Sequence, residues 1–167
     1  NPAEGIYMQI INSAQRYVYI ATPYLIIDNS MKECLRLAAK SGIDVRIITP
    51  HIPDKWYVHP VTQYNYYDLL QAGVKIYEYR PGFIHSKFFV SDDSVATIGT
   101  VNMDYRSFIM HFECGVWMCD NKTVYDITTR LEGFSLNTVI SGFMEYNNKV
   151  MEIAKKEGGV DVETLST

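Results

Sequence analysis

Long apolar runs, an excess of basic residues and paired cysteines are all missing from this sequence of 167 residues. No stretch reaches the roughly eighteen consecutive apolar residues that a membrane-spanning helix needs. Residues 17–27 come nearest, but they are too few and are interrupted by Pro23. Lysine and arginine total 15 against 19 aspartates and glutamates, so the formal charge is −4. That balance leaves no basic footprint, and we expect no nucleic-acid partner.

The three cysteines, Cys34, Cys114 and Cys119, are odd in number and lack a C-x-x-C spacing. This pattern indicates reduced thiols in a cytosolic compartment and argues against a disulfide framework or a zinc site. We therefore predict that the protein uses no metal and no cofactor. With 47% hydrophobic and 20% charged residues, the chain has the composition of a soluble globular protein with one core.

Helical and strand periodicities alternate along the chain. Helices are predicted at 3–15, 28–41 and 60–72, and strands at 17–21, 45–49 and 75–79. Two strands on either side of Asp92 and a buried strand at 113–118 complete the predicted sheet. The predicted fold class is α/β: a layered domain in which a central, mostly buried β-sheet is flanked by helices.

Residues 1–120 are predicted to form the core of a single domain. Residues 121–167 are predicted to be a C-terminal helical segment of the same domain, because apolar residues recur at helical spacing up to about residue 157. The polar residues 158–167 are expected to fray.

An aromatic cluster runs from Trp56 to Tyr67. Its rings are interpreted in one of two ways: as a tyrosine-rich helix packed on the sheet, or as an interfacial surface that meets lipid acyl chains and headgroups. Of the two interpretations we favour packing.

His85 and Lys87 are the first candidates for chemistry. If residues 86–91 form a strand, the two side chains point to the same face, with α-carbons roughly 6.5 Å apart. An imidazole and an ammonium offered to one ligand suit attack on a phosphodiester. The imidazole can bind phosphorus covalently, and the ammonium can stabilise charge on the phosphoryl oxygens.

Three further residues are candidates for binding the phosphate. Asp92 opens a polar turn, so the following strand is predicted to return Gly99, Thr100 and Asn102 to the side of His85. A glycine allows the backbone to approach an anion, and hydroxyl and amide groups can donate hydrogen bonds to phosphate oxygens.

The whole spacing pattern resembles the HKD motif of the phospholipase D superfamily: H-x-K-x4-D-x6-G-T-x-N, from residue 85 to residue 102. The continuation through Phe112-Glu113 is similar to the second HKD repeat of bacterial cardiolipin synthases, and the resemblance covers roughly residues 5–119. Thr100 stands where the superfamily often has serine and keeps the hydroxyl. His111 stands where asparagine is expected, and we interpret it as a solvent-facing residue.

Glu113 completes the catalytic set that the resemblance implies, which is His85, Lys87, Asp92 and Glu113. A carboxylate in a buried strand needs a partner. In the superfamily, the matching glutamate accepts a hydrogen bond from the nucleophilic histidine, so we pair Glu113 with His85. The alternative is an edge-strand glutamate that faces water.

The resemblance implies phosphatidyl transfer between two phosphatidylglycerol molecules through a phosphohistidine, giving cardiolipin and glycerol. It also implies that two HKD motifs meet at one site. We expect the full protein to carry a first HKD repeat and membrane spans before Asn1. These spans would hold this soluble domain on the cytoplasmic face of a bacterial membrane, against anionic lipid.

Two other functions stay open at this point. A homodimeric endonuclease or phosphodiesterase would bring together one HKD motif from each of two chains. A structural pseudo-half would bind phosphate without catalysis. The acidic net charge favours lipid over nucleic acid, and the complete set of motif residues argues against a pseudo-half.

Overall fold

The computed structural model describes residues 2–80 and 82–120, together with residues 122, 124 and 125. The C-terminal segment predicted for residues 121–167 therefore lies almost wholly outside the described residues. Within the described ranges, no helix is both long enough and apolar enough to cross a membrane.

Helices and strands follow each other as the sequence pattern indicates. The helices are α1 Pro2–Ser13, α2 Asn29–Lys40, α3 His59–Tyr64 and α4 Tyr66–Gln71. The strands are β1 Tyr17–Ala21, β2 Leu25–Ile26, β3 Asp44–Pro50, β4 Lys75–Tyr79, β5 Phe88–Ser91, β6 Val95–Gly99, β7 Met103–Asp104 and β8 Gly115–Cys119. A π-helical turn, Arg106–Met110, stands between β7 and β8.

Six strands form one mixed sheet in the order β4-β3-β1-β5-β6-β8. Strands β1, β3 and β4 are parallel, whereas β5, β6 and β8 are joined by antiparallel pairings. Strands β2 and β7 form a separate parallel pair. A mixed sheet flanked by helices confirms the predicted α/β class.

Helix α2 shows how local sequence determines an element. The carboxylate of Asp28 accepts a hydrogen bond from the backbone N–H of Met31 at 2.8 Å, which caps the first turn. Met31 and Leu35 are fully buried along one face. The helix ends before Gly42, whose φ of +93° is readily adopted only by a residue without a side chain.

The predicted helix at 60–72 is divided in two at Asn65. The buried amide of Asn65 donates a hydrogen bond to the carbonyl oxygen of Leu25 at 2.9 Å, and the hydroxyl of Thr62 accepts one from the Leu25 N–H at 3.4 Å. These long-range bonds hold α3 against β2, so tertiary contacts decide where the helix is interrupted.

The prediction of a buried strand at 113–118 is wrong in two respects. The strand begins at Gly115, so Glu113 precedes it, and among the described strands β8 pairs only with β6, at the edge of the sheet. Val116 and Trp117 are consequently exposed. Apolar composition indicated a strand correctly, but it carries no information about which side of the strand is covered.

Asp92 holds the turn between β5 and β6 against the start of β1. Its carboxylate accepts hydrogen bonds from the backbone N–H groups of Gln15, Arg16 and Tyr17 at 2.6, 2.9 and 2.9 Å. Its backbone has a φ of +54°, a left-handed conformation that aspartate tolerates better than most residues. The carboxylate therefore fixes the hairpin to the rest of the sheet.

We expect Asp92→Asn to lower the free energy of unfolding by about 1.5–3 kcal/mol, because the acceptor loses its charge and one of its two oxygens becomes an NH2 group that cannot accept a hydrogen bond. The side-chain shape and the left-handed backbone are kept. Urea unfolding followed by circular dichroism measures the difference. Glu33→Gln, at an exposed ion pair with Arg36, is the matched control and should change stability by less than about 0.5 kcal/mol. Equal stabilities for the two variants would contradict a structural role for Asp92.

Candidate active site

His85 and Lys87 lie at the edge of the sheet where the parallel strands end. They immediately precede β5, whose first residue, Phe88, pairs with Ala21, the last residue of β1. The same edge carries the carboxyl ends of β3 and β4. In open α/β sheets, ligands bind outside the carboxyl ends of the strands.

The side chains of His85 and Lys87 are in direct contact. Lys87 Nζ lies 2.8 Å from His85 Nδ1 and 3.1 Å from Nε2, and it donates a hydrogen bond to the His85 carbonyl oxygen at 2.7 Å. A neutral imidazole has one acceptor nitrogen, so one of the two ring contacts is a hydrogen bond. The strand begins at Phe88 instead of residue 86, yet the two side chains lie together, as predicted.

The protonation of the pair follows from burial and mutual charge. Lys87 is only 9% exposed, and this burial lowers the pKa of its ammonium to about 8, against the opposing effect of the Glu113, Asp104 and Asp54 carboxylates. The atoms packed around the His85 ring and the charge of Lys87 lower the pKa of the imidazole, although much of the side chain faces solvent. At neutral pH the site therefore offers a neutral imidazole beside an ammonium.

Glu113 does not contact His85 in the described structure, which corrects the predicted pairing. The Thr100 hydroxyl donates a hydrogen bond to Glu113 Oε2, and Glu113 Oε1 lies 3.8 Å from His111 Nδ1. Because β8 begins at Gly115, the Glu113 side chain precedes the strand and turns towards the end of β6. It acts on Lys87 through its charge, raising the pKa of the ammonium.

Gly99 and Thr100, which the sequence predicts to bind phosphate, contact the neighbouring strand, and phosphate binding by them stays a prediction. A Cβ atom at Gly99 would lie 2.6 Å from Gly115 Cα, so the neighbouring strand fills the space that glycine leaves open. Thr100 N–H donates to the Cys114 carbonyl at 2.8 Å, and Cys114 N–H donates to the Thr100 hydroxyl at 3.0 Å. Both residues hold the start of β8 in place.

Asn102 directs its amide nitrogen to Ser107, donating to the hydroxyl at 3.0 Å. Its amide oxygen is buried and has no hydrogen-bond partner among the described residues. Rotating the amide by 180° would let the Ser107 hydroxyl donate to the oxygen and would free the nitrogen. Phosphate binding by Asn102 stays a prediction.

Asp92 is far from this edge. It lies at the other end of β5, roughly 20 Å from His85 for seven extended residues, and its carboxylate is occupied by three backbone N–H groups. These contacts give Asp92 a structural role, and a part for it in catalysis stays a prediction. The HKD spacing spans a whole strand, with chemistry at one end and a structural carboxylate at the other.

Two residues outside the motif, Tyr24 and Asp54, also lie at this edge of the sheet, and the sequence analysis did not identify either of them. Tyr24 follows β1 and donates a hydrogen bond to Asp54 Oδ2, in the loop after β3, at 2.5 Å. The charge of Asp54 acts on both His85 and Lys87. The available signal was positional, since each residue closely follows the carboxyl end of a parallel strand.

His111 is exposed, as expected, but it has partners. Arg106 Nε donates a hydrogen bond to His111 Nε2 at 2.8 Å, which leaves the other ring nitrogen directed towards Glu113. His111 therefore lies beside Glu113 and Arg106, and it does not contact the His85 and Lys87 pair.

We expect Lys87 to titrate near pH 8, well below an ordinary lysine at about 10.4, because its folded environment disfavours the charged form. NMR of the lysine side-chain carbons measures this pKa. Glu113→Gln should lower it further, since a neighbouring negative charge is removed, whereas Glu33→Gln should leave it unchanged. A Lys87 pKa above 10 in the unsubstituted protein would contradict the burial argument.

Comparison with known proteins places this geometry in a family. The family model described as "Cardiolipin synthase, PLD-like domain" matches residues 7–134. Cardiolipin synthase 1 of Staphylococcus aureus (strain COL) is 39% identical over 151 residues, which are 90% of this chain and 31% of that protein. Cardiolipin synthase of Geobacillus sp. (strain WCH70) is 47% identical over 113 residues, 68% of this chain and 22% of that protein.

A solved structure is similar in fold. Nuc from Salmonella typhimurium, a phospholipase D family member, superposes with a TM-score of 0.65 at 16% identity, covering 76% of this chain and 82% of that one. The chain spans between about a fifth and a third of the length of the two cardiolipin synthases. The sequence resemblance is thus confirmed: the chain belongs to the family of cardiolipin synthase, phospholipase D-like domains.

Proposed function

We propose that this chain supplies one catalytic half of a cardiolipin synthase, a phosphatidyltransferase that acts on two phosphatidylglycerol molecules. The observation that carries the proposal is the contact between a neutral imidazole and a buried ammonium, His85 and Lys87, at the ligand-binding edge of the sheet. Membership of the family and the cardiolipin synthases among the relatives support the substrate class.

The chemistry proceeds in two displacements at one phosphorus. In the first, an imidazole nitrogen forms a bond to phosphorus while the bond to the glycerol oxygen breaks, and a second imidazole gives its proton to the leaving alkoxide. In the second, the terminal hydroxyl of another phosphatidylglycerol attacks phosphorus and gives its proton to that second imidazole. The phosphorus–nitrogen bond breaks and cardiolipin leaves. The ammonium of Lys87 stabilises the phosphoryl oxygens in both steps.

A single motif supplies only one of the two imidazoles. His51 lies 2.7 Å from Glu78 and His59 lies 4.0 Å from the same carboxylate, while His111 pairs with Arg106. In the described part of the chain none of the three contacts His85. The second imidazole therefore comes from another HKD copy, either a first repeat in the same full-length protein or a second copy of this chain.

The substrate also suggests a place in the cell. Phosphatidylglycerol is a membrane lipid, so the full-length protein acts at the bacterial membrane, with this domain on the cytoplasmic face. Spans outside the present sequence would anchor it.

The homodimeric endonuclease or phosphodiesterase is not favoured. The formal charge of −4 gives no general attraction for a phosphate polymer, and the likeness to Nuc concerns the fold alone. Phosphodiester chemistry is common to both functions, so the substrate decides between them.

In the full-length protein, we expect His85→Ala to reduce cardiolipin formation from phosphatidylglycerol by at least about a thousandfold, because a covalent or proton-transferring group is lost. Lys87→Ala should be similarly severe. Product is measured by mass spectrometry, with circular dichroism to verify folding. His51→Ala is the matched control and should keep most activity. A His85→Ala rate within tenfold of the parent protein would overturn the assignment.

We expect Glu113→Gln to lower the same rate while the fold is kept, by at most about tenfold at alkaline pH for each unit by which the Lys87 pKa falls, and by less at neutral pH. The physical reason is that the negative charge of Glu113 raises the pKa of Lys87. Without that charge the ammonium loses its proton at a lower pH. The rate should consequently fall at a lower pH in the variant than in the parent protein. Unchanged activity with an unchanged pH profile would place Glu113 outside the machinery.

A further inference from the structure

The aromatic cluster predicted to pack against the sheet is largely exposed, so the favoured interpretation is wrong for most of it. Four side chains lie open to solvent: Trp56, Tyr57, Tyr64 and Tyr67. Trp56 is the extreme case, with 82% of its surface exposed. Of the neighbouring rings, Tyr66 packs inward and its hydroxyl lies 2.6 Å from the Thr49 hydroxyl.

Trp56 and Tyr57 border the active site. They stand in the loop after β3, at the carboxyl edge of the sheet, and their rings meet edge to face at 5.9 Å. The same loop carries Asp54, whose charge acts on His85 and Lys87. The bond from Tyr24 to Asp54 holds this loop to the end of β1.

Unpaired cations accompany the two rings. Lys55 directly precedes Trp56, and Arg80 directly follows β4 at the same edge; both are exposed and neither forms an ion pair within residues 2–80 and 82–120. Two carboxylates lie nearby: Asp54 accepts a hydrogen bond from the Tyr24 hydroxyl, and Glu78 lies 2.7 Å from His51 Nδ1. We call Lys55, Trp56, Tyr57 and Arg80 the edge patch.

The composition of the edge patch fits a membrane surface. Tryptophan and tyrosine favour the level where headgroups meet acyl chains, because each ring combines an apolar body with a polar tip. Lysine and arginine are attracted to the negatively charged surface of an anionic bilayer. A phosphodiester at headgroup depth can meet an active site only if the bilayer approaches the edge that carries that site.

We propose that the edge patch binds directly to the surface of anionic phospholipid bilayers and presents the carboxyl edge of the sheet to the headgroup layer. This inference extends the proposed function, since it says how a membrane-resident phosphodiester reaches His85. The binding itself does not depend on turnover, so the two proposals can fail separately.

A second exposed apolar surface provides an internal control. It surrounds a cavity of about 680 Å³ beside the edge strand β8 and includes Phe112, Val116 and Trp117. Strand β8 is four positions away from β3 in the sheet, roughly 19 Å at the usual strand spacing. If the edge patch is the membrane contact, Trp117 should stay out of the lipid.

The test uses the fact that the chain has only two tryptophans. Trp117→Phe leaves Trp56 as the sole reporter, and Trp56→Phe leaves Trp117. Each variant is mixed with vesicles of phosphatidylcholine containing about one third phosphatidylglycerol, with and without bromine atoms in the acyl chains. Trp56 fluorescence should shift to shorter wavelength and be quenched by bromine, whereas Trp117 fluorescence should change in neither way.

Two paired variants test the chemistry of the contact. The double variant Trp56→Ala, Tyr57→Ala should bind the same vesicles at least tenfold more weakly in a flotation assay. Lys55→Gln with Arg80→Gln should weaken binding to anionic vesicles but not to pure phosphatidylcholine. His85→Ala should bind like the parent protein, which separates membrane binding from catalysis.

Three results would overturn the proposal. Bromine quenching of Trp117 in place of Trp56 would move the membrane contact to β8. Undiminished binding by the Trp56 and Tyr57 double variant would leave the edge patch without a role. A shift of Trp56 that follows protein concentration in the absence of lipid, together with a doubled mass by light scattering, would assign the patch to a second copy of the chain.

Discussion

A buried ammonium against an imidazole is the arrangement on which the rest of this structure depends. Removing Lys87 from water disfavours its charge, and within residues 2–80 and 82–120 its ammonium forms no ion pair with a carboxylate. Instead, carboxylates from three different segments surround it at longer range: Asp54 after β3, Asp104 in β7 and Glu113 before β8. The position of each segment matters to the chemistry because each helps to keep the lysine protonated. The sheet is thus a frame that brings separate charges to one edge.

The local elements were largely predictable, because their determinants are adjacent in the chain. The run YVYIA forms β1 with the expected bounds, and Asp28 and Gly42 delimit α2 through capping and backbone freedom. The His85 and Lys87 pair was predictable for the same reason. One residue, Ser86, separates them, and their contact needs only an extended backbone.

The surroundings of the pair were not predictable, because they depend on partners distant in sequence. Glu113 turns to Thr100 because β8 starts two residues later than its apolar pattern suggested. Asp92 satisfies backbone groups at residues 15–17, which nothing in its own neighbourhood indicates. Trp56 lies in a loop, and the neighbouring sequence does not determine whether its ring faces the core or the solvent. Hydrophobic pattern describes which face of an element is apolar and leaves open what covers that face.

The close approach of Gly99 and Gly115 has a consequence for how substitutions in this family should be interpreted. Even a methyl group at position 99 would collide with the backbone of the facing strand, so β8 would have to move outward and carry Glu113 with it. In a mutational screen, a substitution at Gly99 would lower the reaction rate as if a catalytic residue had been replaced. Its origin would be a spacing error between two strands, at a residue whose backbone N–H donates a hydrogen bond to the Lys87 carbonyl at 3.3 Å.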